Sequence, residues 1–112
     1  MLLGPRDDWF TEPAAQLATG RWQVSPDSNR IGLRTAGPAL LRAERFAGAE
    51  LPSEPVVTGA VQVPASGRPL IFLADHPTTG GYPVIGVVDD VTPLAQARPG
   101  TVVRFREYGG AL

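Results

Sequence analysis

Pro69-Leu70-Ile71-Phe72-Leu73-Ala74-Asp75-His76-Pro77-Thr78-Thr79-Gly80-Gly81-Tyr82-Pro83-Val84-Ile85-Gly86-Val87-Val88 holds two apolar runs, residues 69–74 and 82–88, separated by a polar loop at 75–81. Each run has the length and the lack of alternation expected of a strand buried on both faces. The pair therefore belongs at the centre of a sheet, and the flanking chain must supply the strands that cover it.

Upstream, residues 56–64 read as a strand with Val57, Gly59, Val61 and Val63 on one face and Val56, Thr58, Ala60 and Gln62 on the other. Gln62 is thereby predicted to point away from the apolar side. Residues 21–24 and 30–35 alternate as strands, the second with Ile31 and Leu33 on one face, and Ser25-Pro26-Asp27-Ser28 between them is a turn, which predicts a hairpin. Residues 36–55 are broken by Gly37-Pro38, Gly48 and Pro52 and read as loop, with a helical turn or a strand open at 40–46. A short helix follows Asp7-Asp8-Trp9-Phe10, with Thr11 as cap, Pro13 in its first turn and Gly20 beyond Leu17. A second begins at Thr92-Pro93 with Thr92 as cap, Pro99-Gly100 makes a turn, and residues 101–106 form the last strand. About six short strands with one or two helices predict a mainly β fold, an open or closed β-barrel.

Composition agrees and excludes several functions. The 43% apolar and 19% charged residues describe a globular chain, and 13 Gly with 12 Pro provide for many turns between short elements. A length of 112 residues suits one domain. The net charge is −1 and the arginines are scattered singly, which argues against nucleic acid as a partner. No apolar run approaches the ~20 residues of a membrane span and no signal sequence is formed at Met1-Leu2-Leu3-Gly4-Pro5, so the reading is a soluble, unexported, cytoplasmic protein without a membrane partner. With no Cys and one His, a thiolate nucleophile, a disulfide and a Cys- or His-rich metal site are all excluded.

The chemistry-bearing segment is the loop at 75–81 with Tyr82. Asp75 or His76 could move a proton. Thr78, Thr79, Gly80, Gly81 and Tyr82 could cradle a carboxylate or phosphate, with hydroxyls donating and the backbone N–H groups exposed by the Gly pair. The same residues equally describe a hairpin loop in which Asp and Thr bond the backbone and the glycines supply positive φ. Arg30, in Ser28-Asn29-Arg30-Ile31-Gly32, could fork onto a carboxylate or pair with a surface acid. Glu54 and Gln62 are the polar groups nearest apolar strand in the segment from Ser53 to Pro64, and Gln62 could bind a ligand or only solvate a barrel face.

Taken in order, Gly4-Pro5-Arg6-Asp7-Asp8-Trp9-Phe10, Ser28-Asn29-Arg30-Ile31-Gly32, Ser53-Glu54 through Thr58-Gly59-Ala60-Val61-Gln62-Val63-Pro64, and Leu73-Ala74-Asp75 through Thr78-Thr79-Gly80-Gly81-Tyr82-Pro83-Val84-Ile85-Gly86 resemble the later half of the allophanate hydrolase subunit 2 family. That family includes the third, or C, component of 5-oxoprolinase and the carboxyltransferase part of urea carboxylase. The departures are Asn29 for a usual Asp, Pro55 for Gly, Thr58 for Pro, and His76-Pro77 for Arg-Gln. The resemblance implies a cyclophilin-like β-barrel over residues 1–112, the C-terminal half of a family member without its N-terminal half. It further implies part of the third subunit of a 5-oxoprolinase, which consumes ATP to open the lactam of 5-oxoproline to glutamate. The partners would be a subunit-1-type (KipI-like) protein and a LamB/YcsF-type subunit. A second branch implies transfer of a carboxyl group from biotin to urea. A third, similar to the antagonist of a sporulation-kinase inhibitor, implies a binding module without catalysis.

Overall fold

The structure, a computed structural model, describes residues 1–107. Its strands are β1 (Leu2–Leu3), β2 (Trp22–Val24), β3 (Gly32–Ala36), β4 (Glu54–Pro55), β5 (Ala60–Gln62), β6 (Leu70–Phe72), β7 (Thr79–Gly80), β8 (Val84–Val87) and β9 (Val102–Val103), with helices α1 (Pro13–Thr19) and α2 (Thr92–Ala95). Seven strands form one antiparallel sheet in the order β1-β8-β5-β6-β3-β2-β9, and β4 with β7 makes a separate two-stranded ribbon. The sheet curls until its edges approach, where the Met1 nitrogen donates to the Arg106 carbonyl at 2.5 Å beyond β9. The expected architecture, a mainly β barrel-like sheet with two short helices, is the one that forms.

Alternation along the strands explains the curl. Val61, Ile71, Leu33 and Ile85 are almost wholly buried on the concave face, where they pack with Trp9, Phe10, Leu17, Trp22, Val24, Val103 and Phe105. Trp22 satisfies its indole N–H by donating to the Pro38 carbonyl at 2.8 Å, so this polar group costs nothing inside the core. The other face of the same strands carries Ala60, Leu70, Phe72 and Val84, and Val56 beside the β4–β7 ribbon completes that second cluster. Strand β6 is thus covered on both faces, as its unbroken apolar run requires.

Register adds a bulge. Ala60 faces Val87, Val61 faces Gly86 and Gln62 faces Val84, so Ile85 is an extra residue on β8. Two consecutive residues of β8 therefore turn to the concave side opposite one of β5, and Gln62 stays on the convex side with Ala60.

Several local expectations are corrected. The two central apolar runs do not pair with each other, because β5 lies between β6 and β8. The expected strand at 56–64 is interrupted by a turn at Thr58-Gly59, where Gly59 has φ +89 and a side chain would collide with the Val88 carbonyl oxygen. Val57 is consequently exposed while Val56 is buried. The hairpin of β2 and β3 is present, but β3 begins at Gly32, so Ile31 falls in the preceding bend and is half-exposed. Thr11 does not cap α1; Glu12 occupies that position at φ 40, and Thr11 bonds Arg42 instead. Before α2 it is Asp90 that accepts the Thr92 N–H, at 2.9 Å. Of residues 101–106 only two pair as a strand, with β2. Residues 40–46 resolve into an isolated bridge at Arg42 and a single helical turn at Glu44–Phe46.

Ile71→Ala, which empties a fully buried site, is expected to lower unfolding free energy by about 2–5 kcal/mol. Ile31→Ala, at a half-exposed site, should stay within about 0.5 kcal/mol. Urea denaturation of both variants checks the pair.

Candidate functional site

Leaving the end of β6, the chain turns at Ala74-Asp75, and Asp75 docks back on the start of β3 through its N–H to the Arg30 carbonyl at 3.1 Å. The Arg30 guanidinium then meets the Asp75 carboxylate, Nε to Oδ2 3.2 Å. Both side chains are mostly in water, at 87% and 52% exposure, so the pair orients Asp75 more than it stabilises the fold. It stands beside a cavity of about 490 Å³ walled by Leu33, Leu73, Leu94 and Ala97, with Asn29 and Arg30 on its polar side. His76 turns from this cavity: its Nδ1 lies 2.6 Å from the Pro77 carbonyl and its ring 5.9 Å from that of Phe72.

The second half of the loop belongs to a different place. Thr78 accepts the Val56 N–H on its carbonyl at 3.1 Å, and Thr79-Gly80 pairs with Glu54-Pro55 as β7 on β4. Both threonines are exposed. Neither Gly80 nor Gly81 has positive φ, which overturns the hairpin-loop explanation of the pair. Gly80 is needed for closeness instead: a Cβ there would lie 2.5 Å from the Gln62 Nε2, whereas at Gly81 nothing comes nearer than 3.8 Å. Gly80 and Tyr82 line a cleft of about 190 Å³ together with Pro5, Glu54, Val56 and Val84.

At the rim of this cleft Arg6 forks onto Glu54, with Nε donating to Oε1 at 3.1 Å and Nη2 to Oε2. The hydrogen bond from Arg6 holds the Glu54 carboxyl below its usual range, and the bond to Glu54 raises the Arg6 pKa. Arg6 is the site residue that motif reasoning missed. Its signal was present in the Gly4-Pro5-Arg6 word, but an isolated arginine does not announce a partner 48 residues away.

The candidate residues therefore divide. Arg30 and Asp75 form one cluster, Gln62, Gly80 and Tyr82 another, and Thr78, Thr79 and Gly81 lie in the exposed loop that links them. The loop at 75–81 carries no lysine or arginine of its own; Arg30 and Arg6 each hold a carboxylate, and Arg42, which lines a cleft with Gly81 and Tyr82, donates to the Phe46 and Ala49 carbonyls. Among the described residues no three His, Asp or Glu side chains gather as a metal site, and no helix is long and apolar enough to cross a membrane.

This barrel-like sheet is found inside a much larger enzyme. It superposes on the Kluyveromyces lactis urea amidolyase with a TM-score of 0.84 at 25% identity, over 96% of this chain and 7% of that one. The family model described as carboxyltransferase domain, subdomain A and B, matches residues 1–107, and the chain belongs to that family. It is 43% identical over 86 residues to the C component of the Haemophilus influenzae 5-oxoprolinase, covering 75% of this chain. It is 41% identical over 108 residues to the same component of the Escherichia coli 5-oxoprolinase, covering 93%. The chain spans only 27% and 34% of those two relatives.

Two outcomes follow from this geometry. Gly80→Ala, which drives a Cβ into the buried Gln62 amide, should cost about 1–3 kcal/mol, and Gly81→Ala should stay within about 0.5 kcal/mol, both read by urea denaturation. Because the Glu54 pKa is depressed in the folded state, its contribution is present above the unfolded carboxylate pKa and is lost as pH falls through the folded value. The melting-temperature gap between wild type and Glu54→Gln should accordingly exist at neutral pH and close on acidification below the ordinary carboxylate range.

Proposed function

We propose that the chain is part of the third subunit of an ATP-dependent 5-oxoprolinase, which opens the lactam of 5-oxoproline to glutamate and works only within a complex. The observation that supports this reading is identity of 41–43% to the C components of two bacterial 5-oxoprolinases, against 25% to the urea amidolyase. Thr78 and Thr79, exposed on the linking loop, donate hydroxyls to a carboxylate or phosphate, and Gly81 leaves room for close approach. Asp75, oriented by Arg30, accepts or returns the proton as the ring opens, with His76 beside it. The loop has no lysine or arginine of its own, and this reading assigns the nucleotide to the partners, a subunit-1-type (KipI-like) protein and a LamB/YcsF-type subunit, in the cytoplasm.

The 0.84 TM-score with the urea amidolyase favours a second reading, in which carboxylated biotin delivers a carboxyl group to urea. The walls of Leu33, Leu73, Leu94 and Ala97 suit an apolar ring system such as biotin, with Asn29 and Arg30 near its polar edge.

Glutamate release from 5-oxoproline, assayed with and without partner subunits and ATP, tests the first reading. The chain alone should be inactive and the complete complex active. Asp75→Asn should keep its melting temperature and lose at least ~10-fold in activity, a conservative fraction of the ~100-fold of ordinary acid–base catalysis. A complex that carboxylates urea from a biotinylated carrier and releases no glutamate replaces the first reading with the second.

A further inference from the structure

We propose that Arg42 anchors a carboxylate-binding cleft, separate from the Arg30–Asp75 corner and suited to a small organic acid. The Arg42 backbone bridges Phe10, and its half-buried guanidinium is fixed in two ways. Nη1 donates to the Phe46 carbonyl at 3.2 Å and to the Ala49 carbonyl at 2.8 Å. The guanidinium carbon lies 5.2 Å from the centre of the Trp9 ring, and Trp9 is itself stacked on Phe46 with ring centres 4.6 Å apart. A side chain held in this way has little rotamer freedom left to lose when a ligand arrives.

The other edge of that guanidinium, Nε with Nη2, donates to nothing among the described residues, and none of their carboxylates lies within ion-pair distance of Arg42. Arg6 shows what the same edge does when an acid is in reach, since its Nε and Nη2 take the two oxygens of Glu54. Arg42 instead lines a cleft of about 330 Å³ together with Ala49, Glu50, Leu51, Gly81 and Tyr82. Gly81 keeps this cleft open: a Cβ there would find nothing nearer than 3.8 Å, and its N–H has no main-chain acceptor among the described residues. Ala49, Leu51 and the Tyr82 ring offer apolar surface to the body of a ligand. Glu50 is exposed and forms no ion pair among the described residues. One positive and one negative charge beside the same cleft suit a monoanion better than a doubly charged phosphate. The planar fork matches the two oxygens of a carboxylate, and the apolar walls call for a compact apolar body behind it.

This site goes beyond the proposed function and stands without it, since it uses neither Asp75 nor the loop threonines. Cyclopentanecarboxylate, its neutral carboxamide and inorganic phosphate are titrated into the full chain at neutral pH, with NMR read at the Arg42 Nε–H and the Gly81 N–H. Wild type should bind the carboxylate more tightly than phosphate and at least ~10-fold more tightly than the carboxamide, the low end for hydrogen bonds to a charged group. Arg42→Lys keeps the charge but offers no fork, and should lose at least ~10-fold in affinity for the carboxylate. Gly81→Leu, at a residue without positive φ, fills the cleft with Arg42 in place; it should keep its melting temperature and lose at least as much affinity, and it decides alone if Arg42→Lys fails to fold. Glu50→Gln should bind the carboxylate at least as well as wild type. Phosphate or carboxamide binding as tight as that of the carboxylate, full affinity in Arg42→Lys or in stably folded Gly81→Leu, weaker binding by Glu50→Gln, or no binding at all overturns the proposal.

Discussion

Strand β5 holds the molecule together, because its three residues are buried on both sides at once. Val61 fills the concave core opposite Ile71, while Ala60 and Gln62 face the convex cluster, and the strand pairs with β6 on one flank and β8 on the other. A sheet curled around such a strand has two apolar surfaces to hide in a small chain. The concave one closes on itself around Trp22 and Phe105, whose rings meet edge to face at 5.4 Å. The convex one lacks that means, and the β4–β7 ribbon is the cover the chain supplies.

That need explains why the loop after β6 is both structural and available for binding. To cover β5, the chain leaving β6 crosses above it before entering β8, so residues 75–81 pass from the Arg30 corner to the Glu54 edge. The two ends of the loop are pinned differently: one by an ion pair in water, the other by ladder hydrogen bonds reinforced at the rim by Arg6 on Glu54. Residues neighbouring in sequence therefore serve two separate clefts.

The sequence made the buried strands legible and left their neighbours hidden. Leu70-Ile71-Phe72 and Val84-Ile85-Gly86-Val87 announce themselves because double burial demands an unbroken apolar run. The alternation at 56–64 misled because hydrophobic spacing is blind to Gly59, whose backbone turns where a side chain cannot fit. Two-residue strands such as Leu2–Leu3 and Glu54–Pro55 have no period to detect; only their partners, distant in sequence, define them. In the candidate site the spacing did place Gln62 away from the core face, but whether that meant water or a covered pocket depended on the ribbon above it. The pairing of Arg30 with Asp75 has no local signature, since the start of β3 and the end of β6 are distant in sequence; that Arg30 could reach the loop from a neighbouring strand was all that could be expected.

The antiparallel pairing of β1 with β8 gives the fold a high contact order, with Leu2 and Leu3 aligned on Val87 and Gly86. Within these residues, β1 is synthesised well before the strand on which it is placed. During synthesis at about 5–20 residues per second, its apolar side chains wait several seconds for their partner to emerge. The hairpin of β2 and β3 can form early because its contacts are local, whereas sealing the barrel seam requires nearly the whole chain. The interval between those events is the period in which the nascent protein is most exposed to wrong pairing, and a short, two-residue edge strand offers little template for it.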